Sequence, residues 1–394
     1  MPSPIPTDTP AANDAPTAAS FSAEHITSMS NTSALPQPQD APIKAARYKA
    51  APTDFVVHEV MDIDFTEDGE HLWLHVQKVG MNTAFVAQLL SEWAEIPLRD
   101  VGYSGLKDRH ALTTQWFSLR LPKKTAPSTP FAPTDLNDGE SVSILAEQWH
   151  NKKLSRGAHR ANRFIVTLRD IDADIKGVDT AAVDSHLSHI AKVGVPNYFG
   201  VQRFGHHGNN VRDALHFLAR PPRPTKANKG KKRRPAPRER DTLLLSAARS
   251  VIFNHILAAR VRDGSWNTGL DGEVFNLAGS GSIFTSAQMD ETLAERVHIL
   301  DIHPTAPLWG THNDKVSGAA AELEQAVIQG TPLLTALASG LERHELKAQR
   351  RALRLPIEAL NWQWLDDGLQ LDFILPTGSF ATSVLASIVN TLYG

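Results

Sequence analysis

Apolar and polar residues alternate along residues 71–80, HLWLHVQKVG, where Leu72, Leu74 and Val76 occupy every second position. This alternation is typical of a β-strand that buries one face. Other short β-prone runs, which also predict strands, occupy residues 54–57, 101–105, 114–121, 140–149, 163–171 and 369–376. The pattern therefore predicts a sheet whose strands come from both ends of the chain.

Helical spacing of apolar residues begins shortly after Gly80. Asn82 is a good helix cap, and apolar residues recur at helical spacing up to Trp93, before Pro97. The same spacing predicts further helices at residues 179–193, 208–219, 241–263, 289–300, 318–354 and 380–393. A β-rich first part, a helical middle and a β-α end together predict an α+β fold in which an insertion interrupts one sheet domain.

Two segments differ in composition from the rest of the chain. Residues 1–45 are rich in Pro, Ala, Ser, Thr and Asp and contain few large apolar side chains. Such a segment buries too little surface to offset its ordering entropy, so it is predicted to be a disordered and dispensable tail. Residues 220–240 are rich in Pro and Lys, and we expect them to form a mobile loop without regular structure.

The distribution of charge matters more than the net charge of −3. Residues 226–240 carry eight Lys or Arg against one Glu, which suits contact with the phosphates of a nucleic acid. The alternative is a solvated loop that only aids solubility. The chain has no basic leader followed by an apolar run and no stretch of 18 apolar residues, so a cytoplasmic protein is expected.

Several classes of chemistry can be set aside from the sequence. The chain has no cysteine, which excludes disulfides, thiolate nucleophiles and cysteine-ligated metal centres. His206 and His207 belong to no metal-binding spacing, and residues 277–282, LAGSGS, lack the Lys of a phosphate-binding loop and suit a tight turn. The GxSxG elbow of a serine hydrolase is also missing.

One charged turn stands between two predicted strands, in GYSGLKDRHALTTQWFSLRL at residues 102–121. There Asp108 is flanked by Lys107 and Arg109. Cations on both sides lower the pKa of a carboxylate and keep it ionised, as a nucleophile or a general base requires. The alternative is a salt-bridged turn in which Asp108 only caps the backbone, and these residues alone do not decide between the two.

The chain resembles the tRNA pseudouridine synthase D family over residues 46–394. The resemblance rests on GLKDRHA around Asp108 and on a series of blocks in the family's order: KAAPTDFVVHEV, GEHLWLHVQKVGMNTAFVAQLL, RGAHRANRFIVTLRDI, GVPNYFGVQRFGHHGNNV, LSAARSVIFNHILAARV and LPTGSFATSVLASIVNTL. It implies isomerisation of uridine to pseudouridine at position 13 of tRNA, without a cofactor or a metal. It also implies a mixed or antiparallel catalytic sheet with flanking helices, at residues 46–193 and 356–394, interrupted by a largely helical insertion at 194–355.

The resemblance also assigns roles to residues at matching positions. Asp108 corresponds to the catalytic aspartate, and Lys49 to its basic partner. Asn162 and Phe164 line the uridine pocket, with Phe164 in the stacking role that other pseudouridine synthases give to a tyrosine. Candidate phosphate contacts are Lys107, Arg109, Lys231, Lys232, Arg233 and Arg234. The long N-terminal tail and the extended basic loop at 223–240 depart from the family pattern.

The expected partner is tRNA, and a monomer that binds no membrane and no small-molecule cofactor is predicted. One alternative is a non-catalytic RNA-binding protein, which would need the basic loop and the aromatic residues but not Asp108. Another is a glycosidase, which would need a second carboxylate opposite Asp108. Glu59 is the residue available for that role, although its spacing gives it no particular support.

Overall fold

The computed structural model describes residues 21–134, 136–173, 175–222, 227–228, 231–232 and 239–394. It consists of two compact units. The sheet unit comprises Gln37–Asn197 and Arg354–Gly394, and the helix-rich unit comprises Met1–Pro36 and Tyr198–Leu353.

Strands in the described part of the chain are numbered in chain order. They are β1 (Ile43–Arg47), β2 (Phe55–Val60), β3 (His71–Val79), β4 (Val101–Tyr103), β5 (Leu112–Arg120), β6 (Ser141–His150), β7 (Ala161–Arg169), β8 (Val195–Pro196), β9 (Ala227–Asn228), β10 (Lys231–Lys232), β11 (Val274–Leu277), β12 (Ile283–Thr285), β13 (Ile302–Leu308), β14 (Gln349–Ala352), β15 (Arg354–Leu355), β16 (Glu358–Leu365), β17 (Gly368–Pro376) and β18 (Val389–Tyr393).

The α-helices are numbered in the same way. They are α1 (Ala23–Ser30), α2 (Thr83–Trp93), α3 (Thr180–Val193), α4 (Asn209–Leu218), α5 (Glu239–Arg262), α6 (Glu291–His298), α7 (Gly318–Gln329), α8 (Pro332–Arg343) and α9 (Ala381–Ile388).

A ten-stranded mixed sheet forms the sheet unit, and its main order is β16-β17-β7-β2-β5-β3-β6. Most neighbours are antiparallel, but β2 runs parallel to β5, and β1 runs parallel to β18. The predicted α+β fold is thereby confirmed. The strand β2 lies between β5, which follows Asp108, and β7, which carries Asn162. This order brings the candidate site residues to neighbouring strands.

The predicted strand β3 is confirmed, and its burial has a period of two from Leu74 onward, whereas Trp73 on the opposite face is also buried. Leu72, Leu74 and Val76 are buried together and pack with α2 in one apolar cluster. The start of α2 is also as predicted, since the side chain of Asn82 accepts a hydrogen bond from the Phe85 N–H at 2.8 Å. This cap satisfies one of the N–H groups that a helix leaves unpaired at its N-terminus.

The helix-rich unit contains a four-stranded sheet that the sequence did not predict, in the order β12-β11-β13-β14. The strand β13 contains Pro304 and Pro307, and β14 is the polar run QRRA, so neither shows the alternation that signals a strand. Residues 277–282 do form the expected turn between β11 and β12. Around this sheet, α4, α5, α7 and α8 pack against one another.

One helix of this unit is apolar enough to raise the question of a membrane. By length and composition, the stretch Arg240–Arg262 of α5 could cross a bilayer. However, 67% of its most apolar window is buried inside the protein, which is the usual situation for the central helix of a folded core. Val251, Ile252 and Ile256 are all fully buried. We therefore interpret α5 as a core helix.

The structure differs from the predicted disordered tail over residues 21–45. In the helix-rich unit, α1 buries Ile26 and Ser30. In the sheet unit, β1 buries Ile43 and pairs in parallel with β18, which replaces the end of the predicted closing helix. Composition missed both elements because each is stabilised by tertiary contacts to residues far along the chain. The rest of the predicted tail, residues 1–20, lies outside the described part.

The basic segment also differs from the prediction of a loop without regular structure. The backbones of β9 and β10 form a short antiparallel pair, in which Lys231 faces Asn228 and Lys232 faces Ala227. Arg233 and Arg234 lie outside the described residues. Their role in RNA binding therefore stays a prediction from sequence.

Candidate active site

The turn at residues 105–110 connects β4 to β5 and presents a carboxylate to solvent. The side chain of Asp108 is 45% exposed, and its Oδ2 lies 3.4 Å from Nζ of Lys49. Lys49 is 59 residues away in sequence. The structure thus brings together the two residues that the family resemblance paired.

Backbone geometry and an aromatic ring hold Lys49 in place. Its φ of 59° lies in the left-handed region, which is strained for a residue other than glycine. Its Nζ lies 4.2 Å from the centre of the Phe55 ring, within the range of a cation–π contact. The neighbouring Tyr48 has a raised pKa, first because of burial and second because of the negative charge of Asp108. A cation and a phenol that stays protonated thus border the carboxylate.

A second lysine, which the sequence analysis did not single out, supports the turn from inside. Lys78 is fully buried, and its Nζ donates to the backbone carbonyls of Asp108 at 2.7 Å and Met81 at 2.6 Å. Burial lowers the pKa of Lys78 to about 8. The carboxylate of Asp108 partly opposes this shift, and the positive charge of Lys107 adds to it. The ammonium group is therefore still mostly protonated at neutral pH and adds positive charge near Asp108.

A signal for Lys78 was present in the sequence. In β3, even-numbered residues from Leu72 to Val76 point into the core, and position 78 continues that series. A lysine at an apolar position of an alternating strand has its charge buried, and such a residue generally has a specific partner. Here the partners are the carbonyls that fix the turn.

Lys107 is buried, whereas the predicted contact with a phosphate requires an exposed side chain. Its side chain is only 4% exposed, and its Nζ lies 2.8 Å from Oε2 of Glu59, which is fully buried on β2. The other oxygen of Glu59 accepts from the Trp116 N–H at 3.1 Å. The structure therefore corrects the prediction for Lys107: this residue anchors the turn to β2 and β5 instead of facing RNA.

Side chains beneath the turn also hold its backbone. The Lys107 N–H donates to the hydroxyl of Thr83 at 2.9 Å, and that hydroxyl donates to Gln115 at 3.0 Å. The amide of Gln115 in turn donates to the carbonyl of Gly105 at 3.1 Å. This network fixes the backbone that leads into Asp108, and Lys78 holds the carbonyl of Asp108 itself, so the direction of its side chain is set in advance.

Arg109 is the exposed cation of the turn. Its side chain is 57% exposed, although its guanidinium donates to the carbonyl of Gly80 at 2.8 Å and to Glu140 at 3.2 Å. Both contacts leave most of the guanidinium edge open to solvent. Arg109 is thus placed where a phosphate contact is possible.

The predicted pocket residues Asn162 and Phe164 lie on the same face of β7. Asn162 is opposite Glu59 in the β2–β7 pair. Its Oδ1 is buried and accepts no hydrogen bond from any residue that the structure describes. Phe164 is 7% exposed and contacts the rings of Phe55 and Phe373, with centroid distances of 6.1 and 5.6 Å.

These contacts connect the predicted site residues. Asp108 contacts Lys49, Lys49 lies over Phe55, and Phe55 touches the edge-on ring of Phe164. Phe164 is more deeply buried than a stacking platform needs, and its ring belongs to the apolar core of the sheet unit. Within the described part of the chain, no group of three or more His, Asp or Glu side chains is arranged to hold a metal ion.

The sequence model of one family, tRNA pseudouridine synthase D (TruD), matches residues 40–220 and 209–388. The chain belongs to the tRNA pseudouridine synthase D family. Relatives from several bacteria carry that name. The protein from Psychrobacter arcticus is 61% identical over 390 residues, covering 93% of this chain and 96% of the relative. The protein from Xanthomonas campestris strain 8004 is 44% identical over 360 residues, covering 91% of this chain and 95% of the relative.

A solved structure agrees with the fold of the tRNA pseudouridine synthase D family. The crystal structure of a Methanosarcina mazei protein assigned to tRNA pseudouridine synthase D matches with a TM-score of 0.68. The match covers 90% of this chain and 95% of the Methanosarcina mazei chain, and the two sequences are 22% identical. At that identity the match supports the α+β fold.

Proposed function

We propose that this protein isomerises uridine to pseudouridine at position 13 of tRNA, with Asp108 as the essential carboxylate. Membership of the tRNA pseudouridine synthase D family supports the reaction. The assignment of Asp108 rests on its exposed carboxylate, which lies 3.4 Å from Nζ of Lys49. Buried hydrogen bonds from Lys78 and to Thr83 hold the backbone of the turn. Such a carboxylate is both accessible to a substrate and constrained in direction.

The reaction breaks the N1–C1′ bond of uridine, rotates the detached uracil and joins C5 to C1′; C5 loses a proton and N1 gains one. A carboxylate can promote this by covalent attack on the ribose or the base, or by removing a ribose proton. Both routes require an ionised carboxylate. Nζ of Lys49, 3.4 Å from Oδ2 of Asp108, places a positive charge beside that carboxylate.

The target uridine must leave its stack before the reaction, at a cost of a few kcal/mol. Contacts in the pocket recover that cost. Phe164 is proposed to supply apolar surface, and the buried Oδ1 of Asn162, which has no partner among the described residues, is proposed to supply a polar contact. Exposed Arg109 and the basic segment at residues 226–240 are proposed to hold phosphates of the tRNA. We expect the enzyme to act in the cytoplasm as a monomer.

Neither alternative function has comparable support. For a glycosidase, Glu59 would have to work opposite Asp108, but it is fully buried and ion-paired with Lys107. For a non-catalytic RNA-binding protein, the carboxylate of Asp108 would be a disadvantage beside phosphates. The strained backbone of Lys49 beside it would also serve no purpose.

The position of the target is tested with tRNA transcripts labelled with 5-tritiated uridine. Joining C5 to C1′ expels the tritium, so its release reports the reaction directly. The wild-type protein should release tritium from a transcript with U13 and not from a matched transcript with C13. Release from the C13 transcript, or pseudouridine mapped to another position, would contradict the assignment to position 13.

A further inference from the structure

A buried histidine outside the predicted site links the turn to the pocket. His159 precedes β7 and is buried. Its Nδ1 lies 2.5 Å from the hydroxyl of Ser104, and its Nε2 lies 3.4 Å from Nδ2 of Asn162. The Ser104 hydroxyl also accepts the backbone N–H of His159 at 2.9 Å. The imidazole is therefore fixed at both of its nitrogens.

The orientation of the Asn162 amide indicates which nitrogen of His159 carries the proton. The Nδ2 of Asn162 can only donate, so Nε2 of His159 must accept. In a neutral imidazole the proton then lies on Nδ1 and is donated to Ser104. Glu59, with Oε2 at 3.9 Å from Nδ1, favours the same arrangement.

The surroundings of the His159 ring favour its neutral form. Burial lowers its pKa, the positive charge of Lys107 lowers it further, and the carboxylate of Glu59 acts in the opposite direction. These are the charged groups that face the ring. A neutral ring with its proton on Nδ1 leaves Nε2 as a permanent acceptor.

The consequence concerns the amide of Asn162. With Nδ2 committed to His159, the side chain turns its Oδ1 away from the histidine, and that buried oxygen has no partner within the described residues. A buried acceptor without a donor is costly, and binding of a group that donates to it removes the cost. The ligand group that fits is therefore a hydrogen-bond donor.

We infer that Ser104 and His159 orient the Asn162 amide so that Oδ1 accepts a hydrogen bond from N3–H of the flipped uracil. This inference rests on the proposed function. The N3–H group is the donor on the Watson–Crick edge of uracil, whereas cytosine presents an acceptor at N3. His159 is thus a positioning residue that selects uridine over cytidine through Asn162.

The first test measures the tautomer of His159 by ¹H–¹⁵N NMR on the full-length protein with labelled histidine, in the absence of RNA. The signal is assigned by its loss in His159→Gln. We expect the neutral form with the proton on Nδ1, and a shift toward the Nε2–H form in Asn162→Asp, whose carboxylate cannot donate. An Nε2–H tautomer in the wild type would overturn the inference. Because no RNA is used, this result is independent of the proposed enzymatic activity.

The second test measures base selection by competition between tRNA transcripts with U13 and C13. One correct hydrogen bond should give the wild type a preference of about five- to tenfold for U13. In His159→Leu the Asn162 amide is free to flip and can donate to cytosine N3, so the preference should approach unity. His159→Gln, which can still accept from Asn162, should retain part of it.

Thermal melts identify variants that fold. Ser104→Ala is the milder variant if His159→Leu does not fold, and it should reduce the preference for U13 in the same direction. An unchanged preference in a folded His159→Leu or Ser104→Ala protein would show that the histidine does not orient Asn162. A merely structural role would lower stability without changing the ratio of the two affinities.

Discussion

The Nζ of Lys107 lies 2.8 Å from Oε2 of Glu59, and both side chains are buried next to the residue proposed to carry out the chemistry. The two residues are separated by 48 positions in sequence and meet because β2 runs parallel to β5. Their ion pair ties the turn of Asp108 to the centre of the sheet. This is a structural use of a lysine that the sequence alone assigned to phosphate binding.

Removal of one partner of this ion pair should destabilise the protein. Lys107→Met leaves the carboxylate of Glu59 buried without its cation, which typically costs about 3–5 kcal/mol. We expect a loss of that size in urea unfolding at neutral pH. Turnover should fall as well, because the turn loses its anchor.

Arg109→Met is the matched control in the same turn. Arg109 is largely exposed, and Glu140 keeps its two hydrogen bonds from Asn137 when Arg109 is replaced. The stability of the Arg109→Met protein should therefore lie within about 0–1 kcal/mol of the wild type. This variant should instead bind tRNA more weakly. Equal stability of the Lys107→Met and Arg109→Met proteins would contradict the anchoring role of Lys107.

The buried Lys78 should make stability depend on pH. Its pKa falls from 10.5 to about 8 in the folded protein, so between these values the unfolded chain binds more protons than the native state. Stability from this group therefore rises with pH from about 8 to 10.5. In Lys78→Met this contribution disappears. Urea unfolding at several pH values should show a smaller rise for the variant, and identical slopes would argue against a depressed pKa.

Phe164 should matter both to the core and to the site. Phe164→Ala should lose about 3–5 kcal/mol of stability, because the ring packs between two other aromatic rings. It should also reduce turnover on bound tRNA more than tRNA affinity, since one aromatic contact is worth about 1–3 kcal/mol beside many phosphate contacts.

Leu168→Ala, at a buried position of the same strand, controls for destabilisation alone. Both variants should be assayed at a temperature where melts show them folded. Turnover should be close to normal in Leu168→Ala. If both variants lost turnover equally, Phe164 would be a core residue without a role in the pocket.

The basic segment should contribute to tRNA affinity through its charge. Replacing Lys231, Lys232, Arg233 and Arg234 with Ser should raise the tRNA dissociation constant and flatten its dependence on salt. Each lost phosphate contact reduces the slope of log K against log salt by about 0.7 for single strands and 0.9 for duplex. Chemistry on bound tRNA should continue. A salt slope equal to that of the wild type would support the interpretation as a solvated loop.

Much of the fold could be predicted because its signals are local. The alternation in β3 and the cap at Asn82 each depend on a few neighbouring residues, and both are confirmed. By contrast, β1 and β18 are stabilised by pairing with each other across most of the chain length. Neither strand contains enough alternating residues to be distinguished from a tail or from the end of a helix.

In the candidate site, too, residues with a local signal could be predicted and residues defined by long-range contacts could not. Asp108 could be proposed from its flanking cations, and its partner Lys49 came from the resemblance to a family. The buried supports Glu59, His159 and Ser104 could not be assigned, because their contacts depend on which strands lie side by side. Lys78 is the exception, since its position in an alternating strand was visible in the sequence.

The central claim is that the ionised carboxylate of Asp108 carries out the isomerisation, and Asp108→Asn isolates that property. The substitution keeps the size of the side chain and the backbone carbonyl that Lys78 binds, but it removes the negative charge. Folding should be nearly unaffected, because the side chain is 45% exposed. Binding of tRNA should persist or tighten, since removing a charge near phosphate relieves a repulsion of about 1 kcal/mol at contact distance in water.

The most direct measurement is single-turnover tritium release from 5-tritiated uridine in tRNA by Asp108→Asn, with a thermal melt and a tRNA-binding titration of the same preparation. We predict release at the background level from a folded protein that binds tRNA. Appreciable release by the folded variant would contradict the catalytic role of Asp108, and loss of folding together with activity would favour a salt-bridged structural turn.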